Sequence, residues 1–157
     1  MISTVMLHWA RAALWRSNSE EGARRFAALR RRAPKLPEAY TEGGDLLSRL
    51  GRDADAVAVL TEGLRRFPES RGIWQSAAMH AERQTDPEAA VQAWAAFREH
   101  FPSATIGFVL GAKALARAGR TEEADQLLAV AVTFFPGNKD VAAAREAAVR
   151  NAQRAPA

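Results

Sequence analysis

Four prolines in the sequence are separated by a constant 34 residues. They are Pro34, Pro68, Pro102 and Pro136, and three of them follow a phenylalanine, in RRFPES, EHFPSA and TFFPGN. A fixed period of this length is typical of proteins built from tandem structural repeats, in which each unit packs on its neighbours. The period therefore limits the chain to a repeat architecture before any other feature is considered.

Other columns of the sequence keep the same period. They include an aromatic column, a column of small residues, an alanine column, a large apolar column and a glycine pair. These are Tyr40, Trp74 and Phe108; Gly44, Ala78 and Ala112; Ala56, Ala90 and Ala124; Leu60, Trp94 and Leu128; and Gly51 with Gly119. Because several kinds of residue share one spacing, chance alignment of the prolines does not explain it.

Each period is predicted to contain two helices. In residues 71–104, apolar and small residues recur at helical spacing from Ile73 to Ala81, and again from Ala90 to Phe97. The phased proline ends the second helix because a proline inside a helix costs about 3 kcal/mol. Helices are predicted over residues 4–16, 19–32, 37–50, 53–66, 71–84, 87–100, 105–118, 121–134 and 139–153.

The segments between the two helices of each pair contain residues that are typical of helix caps. Gly51 and Gly119 follow a helix, where a left-handed residue is favoured, and Asp53 and Thr121 are predicted N-caps. The stretches SNSE at 17–20 and TDPE at 85–88 have capping-box spacing, which predicts N-caps at their first residues. In the second stretch Pro87 falls in the first helical turn, where its missing N–H is harmless.

Composition excludes several classes of protein. With 157 residues, 48% hydrophobic and 25% charged, the chain is long and apolar enough to fold. It has no cysteine, which excludes disulfides and thiolate sites. No apolar run approaches 18 residues and no secretory signal is recognised, so no transmembrane segment is expected and a cytoplasmic location is predicted.

No catalytic or metal-binding pattern is present in the sequence. His8, His80 and His100 lie in different periods without paired spacing on one helix face. Gly43 and Gly44 are explained by close helix packing rather than by a phosphate-binding loop. We predict no enzymatic activity, no cofactor and no metal site.

The repeat unit resembles the tetratricopeptide repeat (TPR), a 34-residue helix-turn-helix unit. Residues 105–138 show the resemblance most clearly, through Phe108, Gly111, Ala112, Leu115, Gly119, Ala124, Leu128, Ala131 and Pro136. Residues 37–70 and 71–104 follow the same columns, and residues 3–36 follow them least, with Met6 and Gly22 in the aromatic and alanine columns. The half-a-TPR repeat of RNA-processing scaffolds is a rival that the glycine and proline columns disfavour.

The resemblance implies an all-α fold, a right-handed α-solenoid of antiparallel helix pairs with about nine helices. It implies one domain over residues 1–157, with repeats 3–36, 37–70, 71–104 and 105–138, a polar capping helix at 139–153 and a short tail at 154–157. In this family the first helix of each pair lines a concave groove that binds peptides. We therefore expect a non-catalytic protein-interaction module.

The register of the repeat selects the residues that line the groove. The candidates are Arg11, Asp45, Arg49, Gln75, Met79, Arg83, Ile106, Val109, Lys113 and Arg117, together with Leu7, Trp15 and Thr41. Three of them, the arginine column Arg49, Arg83 and Arg117, are 34 residues apart. They either bind acidic residues of a ligand or only stabilise helix C-termini. The expected partner is an unidentified protein or peptide with acidic and apolar residues.

Other partners remain as alternatives. Residues 1–36 contain eight Arg or Lys against two Glu, and the basic segment 23–35 presents phosphate-binding candidates for nucleic acid or an anionic membrane. These candidates are Arg24, Arg25, Arg30, Arg31, Arg32 and Lys35; nucleic acid is disfavoured because no exposed aromatics are expected to be interleaved with them. Leu7, Arg11, Thr41 and Asp45 replace the Lys and Asn that bind chaperone C-terminal tails, which disfavours that partner. The Ala- and Arg-rich composition suggests a bacterial source, where a TPR module can belong to a larger glycosyltransferase or envelope assembly.

Overall fold

The computed structural model of the chain describes residues 2–154, with side chains described for residues 4–151. Nine α-helices and no strand are found in these residues. The helices are α1 (Ile2–Trp15), α2 (Ser19–Arg32), α3 (Pro37–Arg49), α4 (Asp53–Arg66), α5 (Arg71–Ala81), α6 (Pro87–His100), α7 (Thr105–Arg117), α8 (Thr121–Phe134) and α9 (Lys139–Arg154). All nine predicted helices form, and only α5 differs from its predicted bounds by more than two residues.

Helix α5 ends at Ala81, earlier than the predicted end at residue 84. Just beyond it, the N–H of Arg83 donates to the carbonyl of His80 at 3.0 Å, which tightens the chain into a turn. Two other first helices continue to a glycine: Gly51 follows α3 with φ of 69°, and Gly119 follows α7 with φ of 78°. These two glycines confirm the predicted left-handed helix ends.

The N-caps of α4 and α8 differ from the predicted residues by one position. Asp53 and Thr121 are already helical, and the N-caps are Arg52 and Arg120, which make no side-chain capping bond. Arg52 instead forms an ion pair of 2.7 Å with Asp55 in the first turn of α4. The prediction of Asp53 and Thr121 as N-caps is therefore wrong, because the carboxylates enter the first turn, where the helix dipole favours them.

The N-caps of α2 and α6 also differ from the predicted residues by one position. Asn18 and Asp86 are the N-caps, in place of the predicted Ser17 and Thr85. The side chain of each accepts a hydrogen bond of 3.0 Å from a backbone N–H of the first turn. The capping-box spacing located both helix starts but named the wrong residue, because Asn18 and Asp86 are closer to the unpaired N–H groups.

The phenylalanine before each of three phased prolines closes a second helix. Phe67, Phe101 and Phe135 are the C-caps of α4, α6 and α8. The ring of Phe67 packs edge-on against Tyr40 at a centroid distance of 5.6 Å, and Phe135 packs against Phe108 at 5.3 Å. In these two pairs the aromatic ring joins the end of the second helix to the first helix of the same repeat.

The chain divides into two compact units, Met1–Arg83 and Gln84–Ala157. In the described part of the chain the first unit contains α1 to α5, and the second contains α6 to α9. Each later first helix packs on the second helix before it within its own unit, α3 on α2, α5 on α4, α7 on α6 and α9 on α8. The single domain expected over residues 1–157 stays a prediction.

Helices of the first unit approach closely at glycines of α3. A Cβ at Gly44 would lie 2.5 Å from Cδ2 of Leu60 in α4. A Cβ at Gly43 would lie 3.2 Å from Cβ of Phe26 and would overlap the guanidinium of Arg30, which donates to the carbonyl of Ala39 at 3.3 Å. The predicted packing role of Gly43 and Gly44 is therefore confirmed.

The second unit repeats this arginine contact two periods later. Arg98 of α6 donates to the carbonyl of Gly107 at 3.0 Å, and its guanidinium lies where a Cβ of Gly111 would be. Burial lowers the pKa of both Arg30 and Arg98. A half-buried arginine on a second helix thus bonds to the first turns of the next first helix in both units.

Replacing Gly44 with alanine is expected to lower the free energy of unfolding. The added Cβ meets the side chain of buried Leu60, and overpacking of this kind costs about 1 to 3 kcal/mol. Gly72→Ala is the matched control, since the nearest atom to its Cβ is Cγ2 of Thr41 at 3.7 Å. That variant should gain up to about 0.5 kcal/mol from helix propensity.

Urea denaturation followed by circular dichroism measures both changes. Equal stability of Gly44→Ala and Gly72→Ala would contradict the close approach of α3 and α4.

Candidate functional site

The groove-side candidates of the first unit lie on α1, α3 and α5. Among them, Arg11 forms an ion pair. Arg11 of α1 forms a bidentate pair with Glu42 of α3, in which Nε donates to Oε2 at 2.8 Å and Nη2 donates to Oε1. This contact raises the pKa of Arg11. Arg11 is therefore engaged within the chain, and a ligand carboxylate must compete with Glu42 for it.

Asp45 of α3 is the central acid of this face. It is half-buried and accepts a hydrogen bond from Ser76 of α5, and the charges of Arg49 and Arg83 act on it. Burial raises the pKa of Asp45 above its ordinary value, while the hydrogen bond and the two arginines oppose that rise. Asp45 thus lies close enough to Arg49 and Arg83 for their charges to act on it, and a ligand-binding role of these residues stays a prediction.

A buried hydrogen bond between Ser48 and His80 joins α3 to α5 beside this acid. Nδ1 of His80 lies 2.8 Å from Oγ of Ser48, and both residues are buried. Sequence reasoning missed this pair, because neither residue belongs to a column that recurs through the repeats. The available signal was position, since Ser48 lies one turn from Asp45 on α3.

One member of the arginine column, Arg83, has a structural role in the first unit. Arg83 donates to the carbonyl of Met79 at 3.2 Å and to Oγ of Ser48 at 3.3 Å, so it caps the end of α5. Arg49 is exposed in the last turn of α3, and Arg117 is exposed in the last turn of α7 in the second unit. Helix capping is thus observed at Arg83, and ligand binding by the column stays a prediction.

The remaining candidates of the first unit are partly buried or buried, apart from one tryptophan. Gln75 and Met79 are half-buried on α5, and Thr41 donates to the carbonyl of Pro37 at 3.1 Å. Trp15 is 75% exposed at the end of α1. Leu7 is only 8% exposed and belongs to the core, so its predicted place in the groove is wrong.

Three of the four groove-side candidates of the second unit, Ile106, Val109 and Lys113, line an apolar cleft between α7 and α9. One cavity of about 280 Å³ is bordered by Val109 and Lys113 of α7, Leu128 of α8 and Ala147 of α9. A second cavity of about 510 Å³ is bordered by Ile106, Val109 and alanines of α9. Val109 borders both cavities, so three of the predicted candidates meet at one site.

Alanines of α9 produce this cleft. Ala144, Ala147 and Ala148 face it from α9, and Ala112 and Ala116 face it from α7. Helix α9 packs on α7 and α8, but methyl side chains leave the space between the helices unfilled. The sequence predicted α9 only as a polar cap, and its role as one wall of a cleft was missed.

The basic segment 23–35 is partly neutralised within the chain. Glu21 pairs with Arg24 and with Arg25, and Arg30 is held against α3. Three residues lie outside these contacts and are exposed: Arg31 and Arg32 in the last turn of α2, and Lys35 in the segment that follows it. Binding of phosphate groups by this segment stays a prediction, now resting on three cations instead of six.

Neither a metal-binding cluster nor a membrane-spanning helix is found among the described residues. Within residues 2–154, no group of three or more acidic or histidine side chains is placed to hold a metal ion. No helix in that range is long and apolar enough to cross a membrane.

Comparison with known proteins identifies the fold. No family model matches the sequence. No curated protein matches it either. The MamA RS-1 ArsTM double mutant is 17% identical with a TM-score of 0.73, over 97% of this chain and 85% of that one.

Two further solved structures are similar. TTC0263, a thermophilic TPR protein of Thermus thermophilus, is 14% identical with a TM-score of 0.70, over 97% of this chain and 84% of that one. YrrB, a TPR protein with an unusual peptide-binding site, is 16% identical with a TM-score of 0.70, over 92% of this chain and 74% of that one. Such likeness shows the fold alone, and the predicted all-α, TPR-type helical-repeat solenoid is confirmed.

The half-buried carboxylate of Asp45 is expected to make stability depend on pH. Its pKa is raised in the folded chain, so folding is favoured most when Asp45 is protonated, below its unfolded pKa of about 3.9. That stability is lost as the pH rises through the folded pKa. Asp45→Asn should therefore raise the melting temperature relative to the unmodified chain more at pH 7 than at pH 3.

Thermal denaturation of both proteins at the two pH values measures this difference. Asp53→Asn is the control, since a negative charge in the first turn of α4 is favoured by the helix dipole and its loss should lower the melting temperature at pH 7. A melting-temperature gain from Asp45→Asn that does not change with pH would contradict the effect of burial.

Proposed function

We propose that this chain is a non-catalytic protein-interaction module that binds an extended peptide along the groove-side faces of its first helices. The observation that carries the proposal is the apolar cleft between α7 and α9, where Ile106, Val109 and Lys113 meet. The residues bordering its smaller cavity are apolar except for Lys113 and Asn151. A preformed apolar recess with few polar groups is the usual form of a binding site.

The lining of the cleft defines the ligand that it fits. The recess beside Val109 accepts an apolar side chain, and the exposed Lys113 at its border offers a cation to a neighbouring carboxylate. The ligand is thus a peptide in which an apolar anchor stands next to Asp or Glu. Asp140 borders the larger cavity, so the carboxylate is expected near Lys113 and away from Asp140.

One apolar side chain and one ion pair do not supply enough binding free energy for micromolar affinity. Full burial of one apolar side chain contributes about 1.5 to 3 kcal/mol, and an exposed ion pair contributes about 0 to 1 kcal/mol. Micromolar affinity needs about 8 kcal/mol. The two cavities that share Val109 therefore suit a peptide with two apolar residues, and further contacts must come from its backbone and flanking residues.

The comparisons support this proposal in general terms. The fold is that of TPR proteins, and one of the similar proteins, YrrB, is described as having an unusual peptide-binding site. For this chain, the proposal of peptide binding rests on the cleft between α7 and α9.

Selection from a displayed library of random peptides tests the proposal. We expect the selected peptides to share an apolar residue adjacent to Asp or Glu. Ala147→Leu should weaken their binding by about tenfold or more, because the larger side chain fills the cleft beside Lys113. Ala142→Leu is the matched control, since it makes the same change at an exposed position of α9 outside the cleft.

Fluorescence anisotropy of a labelled peptide gives both affinities. Selection of no common pattern, or equal affinity of the Ala147→Leu and Ala142→Leu variants, would rule out the cleft as the binding site.

Alanine replacement of Arg49, Arg83 and Arg117 tests the arginine column. If the column binds carboxylates, the triple variant should lose up to about 3 kcal/mol of affinity for the same acidic peptides, since each exposed ion pair contributes about 0 to 1 kcal/mol. The melting temperature of each single variant serves as the control for helix capping, which is observed at Arg83. Lower melting temperatures with unchanged affinity would assign the column to helix capping alone.

A further inference from the structure

A cavity of about 340 Å³ in the first unit is bordered by residues of α2, α3 and α4. Its lining contains three arginines, Arg30 and Arg31 of α2 and Arg66 of α4, and one acid, Glu62 of α4. None of the groove-side candidates borders it. Three guanidinium groups thus share one small space with a single carboxylate, which leaves positive charge for a ligand.

Arg30 is fixed in place by α3. Its Nη1 donates to the carbonyl of Ala39 at 3.3 Å, and a Cβ at Gly43 would overlap the same atom. That bond uses one of the five N–H donors of the guanidinium. Burial lowers the pKa of Arg30, and among the described residues it forms no ion pair. A half-buried arginine that is already held in place loses little freedom when it binds an anion, and water screens it less.

The other two arginines reach the cavity from the two second helices. Nε of Arg66 donates to Oε1 of Glu62 at 2.7 Å, and the guanidinium of Arg66 lies 6.0 Å from the ring centroid of Tyr40. Arg31 is exposed and forms no ion pair within the part of the chain that the structure describes. Glu62 therefore orients Arg66, while Arg30 and Arg31 are left without a carboxylate partner.

The hydroxyl of Tyr40 adds a neutral donor to the cavity. Tyr40 is buried, and its hydroxyl donates to the carbonyl of Pro34 at 3.4 Å. An ordinary O–H···O bond is about 2.7 to 2.8 Å long, so an anionic oxygen can replace this carbonyl as the acceptor. Burial, followed by the charge of Glu62, raises the pKa of Tyr40, so the hydroxyl keeps its proton at neutral pH.

The charge and the donors of the cavity match a phosphate group better than a carboxylate. A phosphate monoester carries a charge of about −1.5 to −2 at pH 7 and presents three acceptor oxygens. The three arginines, less Glu62, leave two positive charges. Guanidinium groups bind phosphate through two parallel N–H···O bonds. A carboxylate has a smaller charge and fewer oxygens, so it would leave donors of the cavity unused.

The shape of the site indicates which phosphate can reach these arginines. Arg30 is only partly exposed, so a phosphate must enter the cavity to contact it. A phosphorylated side chain projects from its backbone and can do so, whereas the phosphates of a bilayer lie in a plane and meet exposed cations first. The apolar part of the lining is limited to Ala27, Pro34 and the ring of Tyr40, so the organic part of a free metabolite finds little surface to contact.

We propose that this cavity binds a phosphorylated serine or threonine side chain of a partner protein, with Arg30, Arg31 and Arg66 holding the phosphate. Tyr40 donates to one of its oxygens, and the residues that flank the phosphorylated position make the remaining contacts. The site shares no lining residue with the α7–α9 cleft, so either site can fail without the other.

Three pools of fluorescently labelled peptides provide the test. The pools share random flanking residues and carry phosphoserine, glutamate or serine at one fixed central position. We expect the phosphoserine pool to bind the chain at least about tenfold more tightly than the glutamate pool, because glutamate lacks the second charge and the third oxygen. Fluorescence anisotropy measures the three affinities.

Matched variants separate the cavity from the general positive charge of these helices. Arg31→Gln combined with Arg66→Gln should lower the affinity for the phosphoserine pool by about tenfold or more. Arg32→Gln combined with Arg65→Gln removes two charges from the same helices at exposed positions outside the lining, and should change it by no more than about twofold. Ala147→Leu should leave it unchanged. Circular dichroism confirms that each variant is folded.

Four results would overturn the proposal. Equal binding of the phosphoserine and serine pools would exclude a phosphate site, and equal losses in the two double variants would leave only non-specific attraction by charge. Inorganic phosphate that competes as tightly as the phosphoserine pool binds would assign the cavity to the free anion. Vesicles of phosphatidylcholine and phosphatidic acid that bind the chain, but not the Arg31→Gln, Arg66→Gln variant, would identify a membrane as the partner.

Discussion

The close approach of each first helix to the second helices around it is the constraint on which the rest of the structure depends. It is possible because the first helix carries small residues at the contacts, as Gly44 does against Leu60 and Gly107 does against Phe97. An isolated helix of this length is only marginally stable in water. Burial between neighbours therefore supplies the stability, and it sets the direction in which every groove-side residue points.

The faces placed by this packing differ chemically between the two units. In the first unit α3 and α5 are joined by polar contacts, Asp45 with Ser76 and Ser48 with His80. In the second unit the cleft between α7 and α9 is bordered mostly by alanines and by Val109. One repeat register thus produces a face held by hydrogen bonds and a face left open, because the residue at each groove-side column is free to vary while the packing columns are not.

Most of the helices were predictable from the sequence, and the exceptions have physical causes. The periodic glycines and prolines predicted the bounds of α4 and α8 correctly. Helix α5 ends before its predicted last residue because its repeat lacks the glycine that follows α3 and α7. The N-caps were wrong by one residue because Asn18 and Asp86 compete with Ser17 and Thr85 for the same N–H groups. Leu7 was misplaced because register gives the direction of a side chain but not the neighbour that covers it.

The sequence by itself determined the repeat period, the helix pairs and the columns that pack, because glycine, proline and apolar periodicity act locally on the backbone and on burial. Only the tertiary structure decided which polar residues meet, as Arg11 meets Glu42 and His80 meets Ser48, since these pairs come from different helices at no fixed spacing. It also decided where space remains. A cleft such as that between α7 and α9 depends on the sum of side chains from three helices, which no single stretch of sequence contains.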